Sequence, residues 1–332
     1  MGAESDETRG LELGAADYIT KPISPAIVEA RVRTQMERKH HLDQLQEAYH
    51  IINAQKDRMQ EELNVGRDIQ LSMLPQTFPP FPQHDEFQLH ATMQAAREVG
   101  GDFYDFFLID EDHLCVCVGD VSGKGVPAAL FMAITKVLIK SRAADDFSTA
   151  SILTHVNDEI CENNKSSMFV TIFLGILDIQ NGDFVFTNAG HNPSYIKRAD
   201  STLERLEKLH GPVVGAMEGL AYGEMQVSLV KGDMLFAYTD GVTEAMDVDE
   251  RLFSEERLVQ HLLSQDFGTP ESLTDATIER VEAFAGEAEQ ADDITLLALS
   301  YQKDVQDVEA VTFKISIQNQ LSQIDTVNDQ MG

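Results

Sequence analysis

Apolar residues at Leu42, Leu45, Tyr49, Ile52, Met59 and Leu63 fall three and four apart, with Lys56 in the one polar slot of the series. So narrow a stripe at heptad spacing on an otherwise polar helix fits the seam of a two-stranded coiled coil. The 42–73 helix is therefore expected to pair two copies of the chain. The seam weakens at Gly66, the helix continues through Ile69, Leu71 and Leu74, and the prolines between Thr77 and Pro82 break it and open a new domain. Upstream, Asp17 to Thr20 reads as a short strand and Lys21-Pro22 as a turn. Ser24 can cap a following helix that has Pro25 in its first turn and Ile27, Val28 and Val32 on its apolar face.

Between about Phe87 and Gln302 strands and helices come in groups. Phe103–Ile109, Leu114–Gly119, Phe169–Ile179, Asp183–Asn188 and Met234–Tyr238 are rich in apolar, aromatic and β-branched residues, which predicts strands. Asn181-Gly182 is a hairpin signal. Helices are predicted at Val126–Ala143, Thr149–Asn163, Ser254–Leu263 and Pro270–Gly286. Because hairpin-linked strands dominate over strict strand-helix alternation, the class is α+β, with antiparallel sheets covered by helices. Val308 to Gly332 reads as a short strand and the beginning of a polar helix.

Composition narrows the partners. Against 25 basic residues stand 56 acidic ones, a formal charge of -31 that repels phosphate backbones and anionic lipid surfaces. Nucleic acid and membrane partners are not expected. Three cysteines, Cys115, Cys117 and Cys161, do not make a disulfide framework or a zinc knuckle, and a reducing, cytoplasmic setting is expected. Cys115 and Cys117, two apart in a strand-like run, are expected to face the same side of a core.

Candidate chemistry lies in a recurring local pattern, in which an apolar run ends, an aspartate follows and a small residue lets the backbone turn. It appears at Gly101-Asp102, Gly119-Asp120, Thr239-Asp240-Gly241 and Asp292-Asp293. Carboxylates at strand ends can converge on one rim of a sheet sandwich, where hard oxygen donors suit Mg2+ or Mn2+. Two such ions activate water and neutralise phosphoryl oxygens. Any single Asp-Gly is more often an ordinary turn; four in this setting argue for a two-metal site.

The motifs VGGDFYD (99–105), GDVSGKG (119–125), NAGHNP (188–193), YTDGVTE (238–244) and ADDITLL (291–297) resemble those of the bacterial sporulation stage II E branch of the metal-dependent PPM phosphatases, in the family's order over about 230 residues. The resemblance implies a sandwich of two antiparallel sheets flanked by helices and a serine/threonine phosphatase using two divalent ions, Mn2+ or Mg2+. Carried over by motif, Asp102, Asp120, the Val121 carbonyl, Asp240 and Asp292 are metal ligands, with Asp293 the weaker claimant. Arg97 and Lys124 are candidates for the substrate phosphate. Ser122 stands where eukaryotic relatives place a histidine proposed as general acid, and His191 is expected to fix a loop.

The stretch GLELGAADYITKPIS resembles the end of a two-component receiver domain, whose acidic pocket would lie upstream; the chain is therefore expected to be a fragment. The expected organisation is a receiver remnant (1–37), a coiled-coil linker (38–75), the phosphatase domain (76–303) and the start of a further domain (304–332) resembling the opening of anti-sigma-factor kinases. The branch usually dephosphorylates a small anti-sigma-factor antagonist, which is the expected substrate. A partner-binding scaffold and a two-metal nuclease are the competing readings; the complete set of aspartates argues against the first and the acidity against the second.

Overall fold

The computed structural model describes residues 8, 9, 11–19 and 21–304. The expected strand and helix after Val308 lie outside the described residues. The chain divides into two compact units, 1–63 and 64–332.

In the first unit the Ser24 carbonyl accepts the N–H groups of Ile27 and Val28 at 3.1 Å and opens helix α1, Pro25–Met73, which runs without interruption across the expected 37/38 boundary. Asp17 to Ile19 form no strand, and Thr20 lies outside the described residues. A strand needs a neighbour for its backbone groups. The segment instead packs back on α1, with Arg31 paired to Asp17 and stacked over Tyr18, and Gln35 Nε2 donating to the Ala16 carbonyl at 3.2 Å. The seam residues Leu42, Leu45, Tyr49, Ile52 and Met59 are all exposed.

The second unit is a sandwich of two five-stranded sheets in which every paired strand is antiparallel. One sheet has the order β1 (Phe87–Gln94), β10 (Ile294–Tyr301), β9 (Met234–Tyr238), β6 (Tyr195–Lys197), β7 (Leu203–Arg205). The other runs β2 (Phe103–Leu108), β3 (His113–Val121), β4 (Val170–Asp178), β5 (Asp183–Ala189), β8 (Met225–Ser228). Helices α2 (Val126–Ala143) and α3 (Thr149–Asn163) cover the second sheet, and α4 (Ser254–Ser264) and α5 (Pro270–Ala285) the first.

Period-two alternation places the core. Leu297, Leu299 and Tyr301 of β10 point into the large cluster shared with the second sheet, whereas Ile294, Leu296 and Ala298 join the cluster under α4 and α5. Strand β9 divides the same way, with Leu235 and Ala237 on one side and Met234, Phe236 and Tyr238 on the other. Both strands are therefore central and apolar on both faces. Asn181-Gly182 makes the β4–β5 hairpin, with Gly182 at φ +82°. Among the described residues no helix is long and apolar enough to cross a membrane.

Candidate metal centre

Each sheet contributes two of the four aspartates. Asp102 directly precedes β2 and Asp120 is the penultimate residue of β3; Asp240 follows the end of β9 by two residues and Asp292 precedes β10 by two. Strand ends of both sheets thus bring all four to one edge, where they act on one another electrostatically.

Asp102 is 2% exposed, and its Oδ2 has no hydrogen-bond partner among the described residues. Burial pushes its carboxyl well above the usual range, repulsion from Asp120 and Asp293 adds to this, and the nearby Thr239 and Thr295 hydroxyls oppose it. Burial also lifts Asp120 to about 7, with Asp240, Asp292 and Asp293 repelling it and hydrogen bonding with Asp102 acting the other way. Asp240 is raised by burial, then by Glu244 and Asp292, against the Gly241 N–H and Lys124. Buried carboxylates that repel one another form a site short of positive charge.

These observations fit divalent cations. The donors are hard oxygens, and the buried Asp102 Oδ2 stands unpaired. Among the described residues no three His, Cys, Asp or Glu side chains gather closely enough to enclose an ion by themselves. Mg2+-type ions keep several waters and take only one or two carboxylates each, so an open edge of this kind is compatible with them.

Asp293 has a different task from its neighbour. Its Oδ1 accepts the Ala96 N–H at 2.8 Å and its Oδ2 the Gly101 N–H at 3.0 Å, so both oxygens hold the 95–101 loop that leads into Asp102. A Cβ on Gly100 would lie 1.9 Å from Asp293 Oδ2, which accounts for glycine there. At Gly101 a Cβ would meet the Val121 carbonyl at 2.8 Å; the bare backbone lets that carbonyl lie against the residue preceding Asp102.

Lys124, on the glycine turn after β3, donates from Nζ to Asp292 Oδ2 and to the Ala291 carbonyl, both at 2.8 Å. Its ammonium is spent on a proposed ligand rather than held open for phosphate. Ser122 locks the same turn: its N–H donates to the Phe169 carbonyl at 2.8 Å and its Oγ accepts the Phe169 N–H at 2.9 Å. Arg97 is exposed on the 95–101 loop and makes no ion pair with any described residue.

His191 is buried, with Nδ1 against Thr171 Oγ1 at 2.7 Å and its N–H donating to Asn188 Oδ1 at 2.8 Å. Burial lowers its pKa to about 4 despite the Tyr238 backbone, so the ring is neutral near pH 7 and fixes the loop after β5, as expected. Sequence reasoning missed three residues. Thr239 and Thr295 pair across β9 and β10, with Thr295 N–H donating to Thr239 Oγ1 at 2.9 Å, beside Asp102. Their signal was their place within YTDGVTE and ADDITLL. Gln70, buried at the end of α1, brackets Gly100 with two hydrogen bonds and carries no motif.

The sequence profile of the family described as Stage II sporulation protein E (SpoIIE) matches residues 110–302, more than half of the chain. The chain belongs to the SpoIIE family. Asp120, Asp240 and Asp292 fall inside the SpoIIE match, and Asp102 lies just ahead of it. Protein IcfG of Synechocystis sp. is 33% identical over 267 residues, which cover 72% of this chain and 41% of IcfG. The phosphoserine phosphatase RsbU of Bacillus subtilis is 27% identical over 248 residues, 74% of this chain and 71% of RsbU. The chain thus spans well under half of IcfG and about seven-tenths of RsbU. The SiaA-PP2C domain of Pseudomonas aeruginosa superposes with a TM-score of 0.66 at 21% identity, covering 74% of this chain and 98% of that domain. That likeness establishes the two-sheet PPM phosphatase fold for this SpoIIE member.

Proposed function

We propose that this chain is a metal-dependent phosphoprotein phosphatase that hydrolyses phosphoserine or phosphothreonine in bacterial signalling. The observation that carries the reading is the convergence of Asp102, Asp120, Asp240 and Asp292 from both sheets on one edge, where burial and mutual repulsion raise Asp102, Asp120 and Asp240 together. These four carboxylates and the Val121 carbonyl would hold two divalent ions, Mn2+ or Mg2+. Ions bound there would lower the pKa of water and offset phosphoryl charge. Asp293 and Gln70 position the loop that delivers Asp102, Lys124 orients Asp292, and Arg97 offers an unpaired planar fork for the substrate phosphate.

The RsbU relative supports a phosphoserine substrate, and a small anti-sigma-factor antagonist is the substrate class we assign. The exposed heptad seam supports a homodimer through the 42–73 helix, carrying a signal from the receiver-like segment 1–37; 38–75 is the linker, 76–303 the phosphatase domain and 304–332 a separate segment. A cytoplasmic setting matches three free cysteines, two of them buried.

Mn2+-dependent hydrolysis of p-nitrophenyl phosphate, lost in Asp120→Ala, tests the proposal. The competing reading is a scaffold that keeps the fold and only binds partners. Metal-independent or absent turnover by a well-folded sample would decide for the scaffold.

A further inference from the structure

A cavity of about 340 Å³ opens directly beside the carboxylate edge. Its floor is apolar and buried: Ile294 at the start of β10, Val281 on α5 and Ala245 in the loop after β9. Gly241 and Ala291, which also line it, are the immediate neighbours of Asp240 and Asp292. The wall on the metal side is pinned, because Gln290 Nε2 donates to the Gln94 carbonyl at 2.9 Å and to the Asp292 carbonyl at 2.8 Å. Gln94 Nε2 in turn donates to Glu282 Oε1 at 3.2 Å. Met246, 40% exposed, forms an apolar lip, and the exposed Glu282 and Glu289 make the rim acidic.

None of the proposed metal ligands lines the cavity, and Gln290, Gln94 and Glu282 fix part of its wall by hydrogen bonds. Its volume falls in the roughly 300–1,000 Å³ range of specific ligand pockets. An extended peptide advances roughly 3.3 Å per residue. A chain with its phosphorylated residue at the carboxylates would therefore bring a side chain over the cavity within a few residues.

Building on the phosphatase reading above, we propose that this cavity is a specificity subsite that receives one apolar side chain of the phosphoprotein substrate, a few residues from its phosphorylated serine or threonine, with a basic neighbour favoured by Glu282 and Glu289. The occupant is an extended segment of the substrate, because the cavity is lined by Gly241 and Ala291, the chain neighbours of Asp240 and Asp292, and because its acidic rim complements a basic residue.

The test uses the full chain with Mn2+ and synthetic phosphoserine peptides in which a single leucine is walked residue by residue along both sides of the phosphoserine in an alanine background. One position should raise kcat/KM by about tenfold or more, the discrimination an apolar pocket supplies. The ratio between that peptide and its all-alanine parent should fall to about one in Ala288→Trp and Ala285→Trp, two separate fillings of the cavity. Turnover of p-nitrophenyl phosphate with no leucine preference at any position would overturn the subsite alone, as would a preference that survives in both tryptophan variants. Failure to hydrolyse either p-nitrophenyl phosphate or any peptide would overturn the phosphatase reading, and the subsite with it.

Discussion

Gln70 satisfies both backbone groups of Gly100: its Nε2 donates to the Gly100 carbonyl at 2.8 Å and its Oε1 accepts the Gly100 N–H at 3.1 Å. The end of a long helix is thereby tied to the backbone two residues before Asp102. Truncation leaves a buried donor and a buried acceptor without partners, each costing about 1–3 kcal/mol. Gln70→Ala should lower stability by about 2 kcal/mol or more in urea titration and raise the Mn2+ concentration needed for half-maximal turnover. Gln70→Glu sets a buried carboxylate oxygen against the Gly100 carbonyl, so it should destabilise at least as much near neutral pH. Unchanged metal dependence in Gln70→Ala would separate this contact from the site.

Asp292 and Asp293 should respond differently to the same change. In Asp293→Asn one of the two loop N–H groups, from Ala96 or Gly101, would face an amide NH2 instead of an oxygen. A loss of about 1–3 kcal/mol in stability with weakened but surviving metal-dependent turnover is expected. Asp292→Asn should leave stability nearly unchanged and abolish turnover. The reverse pattern, read from paired denaturation and activity measurements, would exchange their roles.

The Lys124–Asp292 pair is about two-fifths exposed on both sides, so its contribution to stability is small, at most about 1 kcal/mol. Lys124→Met should therefore melt close to the parent protein. It should shift the Mn2+ titration of activity, because Asp292 Oδ2 loses its cationic partner while Oδ1 keeps only the Asp293 N–H among the described residues. An unshifted Mn2+ titration would remove Lys124 from the site.

Asp120 makes the metal-free protein sensitive to pH in a direction opposite to most carboxylates. Its folded pKa is raised from 3.8 to about 7, so between about pH 4 and 7 the folded state holds a proton that the unfolded chain has released. The Asp120 contribution to stability must fall as pH rises through that window, with the penalty complete above it. After chelation, the stability of the parent protein minus that of Asp120→Asn should decline from pH 4 to 7, and Mn2+ should restore the parent at neutral pH by binding the folded state. A flat difference would contradict the environment assigned to Asp120.

How legible these features were follows from how local their causes are. Helices α2 and α3 matched their expected bounds because their start signals and apolar faces are local; Gly125 and Pro127 open α2, and Ser148 caps α3 by accepting the Ser151 N–H. The aspartates were legible because each follows or precedes an apolar run at a turn. Strand β10, ITLLALSY, was not foreseen: it is buried on both faces, and a continuous apolar run lacks the alternation that marks a strand. Strands β6, β7 and β8 are three or four residues long and carry too little pattern. Gln70 and the divided roles of Asp292 and Asp293 depend on contacts 30 and 168 or more residues apart in sequence, which no local pattern records.

The most direct test of the two-ion centre is anomalous diffraction from crystals of the protein grown with Mn2+. Two manganese peaks roughly 3.5–4 Å apart, bounded by Asp102, Asp120, Asp240 and Asp292, are the predicted result. Manganese bound elsewhere, or no peak at this edge in well-diffracting crystals, would contradict the account.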